Sequence, residues 1–206
     1  QDLAYLFYDT DVEFVEPAYA QTITTVESTV AYRHHISIDC PSSDDCKIVY
    51  QDQNNQLLRF VDCDDATCSA KTITTVATGL GTDCCSSPYV FCPAADDCKI
   101  AYHYAAGDDL RFIDCNNATC SSAATTTIDS DVALSSTRPN IYCLSGIDCK
   151  IVYKDDAGTS KALKFVDCNN SSCSSNAITT LRTFDGSASI FPEIYCVTSA
   201  DCKITF

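Results

Sequence analysis

Cysteine is the residue with the most chemistry to offer in this chain, and there are 16 of them. Fourteen fall into two recurring spacings: Cys-x5-Cys at Cys40/Cys46, Cys92/Cys98, Cys143/Cys149 and Cys196/Cys202, and Cys-x4-Cys at Cys63/Cys68, Cys115/Cys120 and Cys168/Cys173. So many thiols imply an oxidising compartment, unless metal or redox work explains them. Each pair brackets a polar turn short enough to bring its Cα atoms within the roughly 4.4–6.8 Å a disulfide requires. The spacing predicts seven local disulfides. Zinc would need about four N or S ligands converging tetrahedrally, yet Cys-x2-Cys is absent and His34, His35 and His103 do not recur with the cysteines. No metal or other cofactor is expected. Cys84 and Cys85 are adjacent and outside both spacings; an intramolecular bond is expected of them, with a vicinal disulfide or pairing to another chain as alternatives.

Carboxylates are the next candidates. Asp62, Asp114 and Asp167 each close the same hexapeptide type, and Asp45, Asp97, Asp148 and Asp201 each precede a cysteine of the Cys-x5-Cys pairs. Glycoside hydrolysis uses two carboxylates in distinct roles, so a catalytic pair should break a repeat while structural acids follow it. Turn and ladder hydrogen bonding is therefore expected, and no enzymatic activity. Asp44-Asp45 and Asp96-Asp97 offer hard oxygens for a weak calcium site, without the alternating Asp-x-Asp and glycine turn of a dedicated one. His34 and His35 alternate across a strand and point apart. Asn117-Ala118-Thr119, Asn169-Asn170-Ser171 and Asn170-Ser171-Ser172 are glycan acceptor sequences, and the first and last occupy the same Cys-x4-Cys loop of successive repeats. Covalent glycans on Asn117, Asn169 and Asn170 are expected.

These residues are placed by a repeat. Cys-Lys-Ile recurs at Cys46, Cys98, Cys149 and Cys202, 51 to 53 residues apart. Each of the first three is followed by a polar reversal and a second string: Leu58-Arg59-Phe60-Val61-Asp62-Cys63, Leu110-Arg111-Phe112-Ile113-Asp114-Cys115 or Leu163-Lys164-Phe165-Val166-Asp167-Cys168. A third string is Thr-rich (Ile73–Val76, Thr126–Ile128, Ile178–Leu181), and a short aromatic one precedes each Cys-Lys-Ile. No segment sustains a 3.6-residue apolar period. Four short strands per fifty-odd residues predict an all-β array of four-stranded blades, most simply a four-bladed propeller. In Lys47-Ile48-Val49-Tyr50 apolar groups fall on both faces, as in a sheet packed between sheets.

The string Leu110 to Ser122 resembles the blades of secreted bacterial sialidase-like propellers with neuraminidase repeats. The resemblance spans almost the whole chain and implies fold more than function. That family's glycosidases combine an arginine cluster, a Tyr/Glu nucleophile pair and an acid Asp, with an Asp-box ending in Trp. Here five arginines stand outside any cluster and there is no Trp, so none of those roles carries over.

Calling the strands A (aromatic), B (Cys-Lys-Ile), C and D (Thr-rich), the single repeat domain of residues 1–206 divides into a partial blade at 1–35, repeats at about 36–86, 87–138 and 139–190, and a half blade at 191–206. Leu3 to Tyr8 reads as B, Asp11 to Glu16 as C and Gln21 to Val26 as D. The tally is 17 strands where four blades need 16, and the surplus one is apolar at Leu3, Leu6 and Phe7. With Tyr5, Tyr8, Ile204 and Phe206 it forms the predicted assembly strands, which would join copies of the chain head to tail. A net charge of −15 disfavours nucleic acid, and no apolar run reaches the length of a membrane span. An N-terminal Gln rather than Met suggests a processed, secreted product. The expectation is a non-catalytic extracellular glycoprotein, a subunit of a filament or surface assembly. The alternatives are a monomeric module binding a glycan or protein ligand through Tyr89, Tyr142 and Tyr195, and a degenerate glycosidase-like propeller.

Overall fold

A computed structural model describes residues 23–28, 36–81, 87–132, 138–157, 160–185 and 190–206. These contain fourteen strands and no helix, so no helix among them is long and apolar enough to cross a membrane. The first sheet is β1 (Ile36–Ser42), β2 (Asp45–Asp52), β3 (Leu57–Cys63) and β4 (Lys71–Thr78), hydrogen-bonded in that order. The second is β5 (Tyr89–Ala94), β6 (Asp97–Tyr104), β7 (Asp109–Cys115) and β8 (Ala123–Asp129). The third is β9 (Asn140–Ser145), β10 (Asp148–Asp155), β11 (Ser160–Cys168) and β12 (Asn176–Asp185). A hairpin of β13 (Glu193–Thr198) and β14 (Asp201–Thr205) follows. The surplus strand Leu3–Tyr8, Cys84, Cys85, His34 and His35 lie outside the described residues.

All pairings are antiparallel, and register repeats with sequence: Lys47 faces Asp62, Lys99 faces Asp114 and Lys150 faces Asp167. Register also shifts at matching places, between Leu58/Arg59, Leu110/Arg111 and Leu163/Lys164 in the C–D pairs. Such bulges bend and twist a strand, so three sheets built alike curve alike.

The sheets stack face to face in chain order, β1 beside β5, β5 beside β9 and β9 beside β13. Period-2 alternation explains how each fills both sides. Val49, Leu58 and Phe60 pack forward onto Val90, Ile100 and Ile113 of the next sheet, whereas Tyr50 and Val61 face backward onto Val26. Leu110, Phe112 and Ile128 meet Ile141, Ile151 and Val166 in the same manner. The hairpin caps the third sheet, with Ile194 and Cys196 buried against Val152. No contact of comparable extent joins β13 back to β1.

Candidate functional site

The B-strand lysine is buried in each full sheet, against the usual preference of an ammonium for water. It survives there because the Asp two residues earlier and the Asp opposite on the C strand close on it: Asp45 and Asp62 on Lys47, Asp97 and Asp114 on Lys99, Asp148 and Asp167 on Lys150. Burial pulls the Lys47 and Lys150 pKa values down, but the hydrogen bonds and charges of the flanking carboxylates outweigh it and the net lies above the ordinary lysine value. The recurring acids are thus committed to a lysine, an ion cage that reading them as turn and ladder residues missed. Its signal was present: Asp-Cys-Lys and the closing Asp of the C string recur in step. Asp156, which departs from the repeat, is buried and bonded to Lys154 at 2.8 Å.

The A strands form a second recurring feature. Their side chains tie one sheet to the next, as the Val90 N–H donates to Ser37 Oγ (3.1 Å), the Cys92 N–H to Asp39 Oδ2 (2.6 Å) and the Ile194 N–H to Asn140 Oδ1 (3.2 Å). One residue before each A-strand cysteine stand Asp39, Phe91, Tyr142 and Tyr195. The three rings form a ladder, with centroids 4.8 Å apart from Phe91 to Tyr142 and 5.0 Å from Tyr142 to Tyr195. Tyr142 is therefore half-buried between neighbours, its phenol pKa raised by burial and by Tyr195. At the start of the A strands all four repeats line one cavity of about 360 Å³, through Ile36–Ile38, Ser87–Tyr89, Arg138–Asn140 and Phe191–Glu193. The Arg138 guanidinium lies 4.1 Å from the Phe191 ring centroid.

The Cys-x4-Cys loops are organised alike. Cys63–Cys68, Cys115–Cys120 and Cys168–Cys173 are bonded, as are Cys40–Cys46, Cys92–Cys98, Cys143–Cys149 and Cys196–Cys202. The second cysteine of each loop adopts left-handed φ (53°, 52° and 51° at Cys68, Cys120 and Cys173), a conformation that costs a non-glycine residue about 1–2 kcal/mol. One residue inside each loop offsets it. Asp65 accepts hydrogen bonds from Thr67, Ser69 and Ala70, which hold its carboxyl well below the usual range. Asn117 occupies that position in the second repeat, donating from Nδ2 to Ser121 Oγ (2.9 Å) and accepting from the Ser121 N–H (3.0 Å), and Asn170 does so in the third. Two sequence-predicted glycan acceptors are thus loop-organising residues, while Asn169 is exposed beside them.

The fourth repeat departs from the others. Lys203 holds the B-strand lysine position of β14 with Asp201 beside it, but its side chain is 70% exposed against 1% for Lys47, and among the described residues β14 is paired with β13 alone. Ile204 is half-buried, and the exposed Phe206 meets Phe184 edge-on at 6.2 Å. At the other end of the array, Tyr50 of β2 donates to Glu27 and Val26 packs on the first sheet. The same bond joins Tyr153 of β10 to Asp129 of β8 in the sheet before it. The described residues of the expected D strand at Gln21 to Val26 form no strand, yet Val26 and Glu27 meet the first sheet as Ile128 and Asp129 meet the third. Among the described residues, no group of three or more His, Cys, Asp and Glu side chains could hold a metal. No protein-family model matches the chain, and a comparison with curated proteins finds no match.

Proposed function

We propose that the protein is a non-catalytic extracellular subunit that joins copies of itself into a filament or surface layer by exchanging an N-terminal strand. Seven disulfides indicate an oxidising environment, and the repeated acids are engaged with buried lysines rather than left for proton transfer. The single observation that carries the reading is the seating of β13 and β14 on the third sheet as the A and B strands of a fourth. A four-stranded blade takes one B strand, and β14 holds that place. The string Leu3–Tyr8 is a second B strand in sequence, so in a four-bladed propeller it has no position within its own chain. Its apolar side chains and open edges are satisfied by a neighbour's sheet edge, and a head-to-tail contact that does not close propagates. Covalent glycans on Asn117, Asn169 and Asn170 decorate the rim: a sugar replaces one Nδ2 hydrogen and leaves the other to donate.

Electron microscopy and light scattering before and after deletion of residues 1–9 test the reading. Loss of polymers supports it; a compact monomer in both states refutes it. The cavity supports a second reading, a ligand-binding module, since Tyr89, Phe191 and Arg138 present aromatic and planar cationic surface there. Binding on a glycan array that Tyr89→Ala and Phe191→Ala abolish would favour that alternative.

A further inference from the structure

Each of the seven disulfides lies within one sheet or its loops, and among the described residues none ties a sheet to the next. The hairpin of β13 and β14 is seated on the third sheet by Ile194, Cys196 and the hydrogen bond from the Ile194 N–H to Asn140 Oδ1. The buried cluster there is smaller than those joining the full sheets. At this junction the aromatic ladder changes its chemistry. The position before the A-strand cysteine carries Asp39, Phe91, Tyr142 and Tyr195 in the four repeats, so in this ladder two phenols are neighbours only where the hairpin meets the third sheet.

The Tyr142 and Tyr195 ring centroids lie 5.0 Å apart with the planes at 64°, an edge-on approach that brings ring carbons into van der Waals contact at about 3.5–4 Å. Both backbones are pinned, since the cysteine after each tyrosine is disulfide-bonded, Cys143 to Cys149 and Cys196 to Cys202, and β9 and β13 lie side by side. Tyr195 is 57% exposed, so a reagent in solution reaches it, and the half-buried Tyr142 lies directly behind it. Other tyrosines are placed differently. Tyr50, Tyr102 and Tyr153 are buried, and Tyr104 is covered by the Arg111 guanidinium 3.5 Å from its ring centroid.

We propose that Tyr142 and Tyr195 form an oxidative cross-linking site, a dityrosine that staples the terminal hairpin to the third sheet. The oxidant is a peroxide acting through a haem peroxidase, which removes one electron and one proton from each phenol. Burial and Tyr195 raise the Tyr142 pKa, so Tyr142 enters as a neutral phenol whose proton leaves with the electron. The two phenoxyl radicals join through the ring carbons ortho to their oxygens, and the hydrogens on those carbons move to the oxygens to restore two phenols. The protein loses two hydrogen atoms, and one hydrogen peroxide is reduced to two waters. Unlike the disulfides, the new carbon–carbon bond resists thiols. An oxidising compartment, which the disulfides themselves indicate, is where this chemistry operates.

The inference shares the extracellular setting of the proposed function but not its strand exchange, and deletion of residues 1–9 leaves both tyrosines in place. The test mixes unlabelled and 15N-labelled full chain, adds hydrogen peroxide and a haem peroxidase, reduces the disulfides and maps cross-linked peptides by mass spectrometry. The expected product joins the Tyr142 peptide to the Tyr195 peptide, two hydrogens lighter than their sum, with both halves carrying the same label. Tyr142→Phe and Tyr195→Phe, which keep the rings and remove one hydroxyl, should each abolish it together with its blue dityrosine fluorescence. Mixed-label products, Tyr195 joined chiefly to any other tyrosine, or an unmodified Tyr142 would overturn the site. As a second measurement, the bond closes a loop of about fifty residues and should raise the unfolding midpoint by about 5–10 °C. An unchanged midpoint in the cross-linked protein would overturn the stapling role.

Discussion

At the residue scale the buried lysines decide the most. Placing an ammonium inside a sheet is costly unless carboxylates surround it, and removing one partner is worse than removing the pair. Asp114→Ala should therefore cost about 3–5 kcal/mol, and Lys99→Met a comparable amount, because it leaves the buried Asp114 carboxylate without its cation; replacing both with apolar residues should cost distinctly less than either single change, an order that urea unfolding of the three variants checks. The pH dependence has a definite sign. Lys47 and Lys150 have folded pKa values above the unfolded one, so the stability they supply is complete below the ordinary lysine pKa and is lost as pH rises through the raised values. Thermal midpoints measured from pH 8 to 12 should fall steeply only above about pH 10, the ordinary lysine value; a flat profile there would contradict the cages.

At the scale of elements, two devices shape each sheet: the forward-facing apolar row of the C strand and the stapled loop after it. Phe112 is fully buried between the second and third sheets, and Phe112→Ala should cost about 3–5 kcal/mol, more than the same change at the half-buried Phe165. Opening one loop is milder. Replacing Cys115 and Cys120 together by serine releases a short loop worth about 2 kcal/mol on the chain-entropy account, and the left-handed φ at position 120 then relies on the Asn117 hydrogen bonds. Combining that pair with Asn117→Ala should lose more than the sum, measured as susceptibility of the loop to proteolysis.

For the whole molecule the issue is closure. Four A strands line one cavity, yet among the described residues β13 and β1 make no contact like those between successive sheets, and Ile36 and Ile38 of β1 are exposed. Deletion of residues 1–9 should leave the thermal midpoint nearly unchanged and remove only the polymer, which calorimetry and light scattering on the truncated chain check together.

The fifty-residue recurrence was enough to determine the strands, their antiparallel order and the cysteine partners, because period-2 patterning and short loops are local: a residue's type and its spacing to the next turn decide both. The two-faced packing of Ile48/Tyr50 against Lys47/Val49 was equally legible. What the sequence did not reveal is what lies across a sheet or between sheets. The Asp62–Lys47 cage depends on cross-strand register, the Tyr50–Glu27 and Tyr153–Asp129 bonds on stacking, and the Asn117 cap on a left-handed cysteine. The cavity shared by four repeats exists only once the A strands of successive sheets lie side by side. Apart from the Asn117 bonds, which span four positions and depend on the loop's left-handed turn, these contacts join residues that are 15 or more positions apart, and in the cavity's case more than 150, and no spacing rule reaches that far, so the tertiary structure decided them.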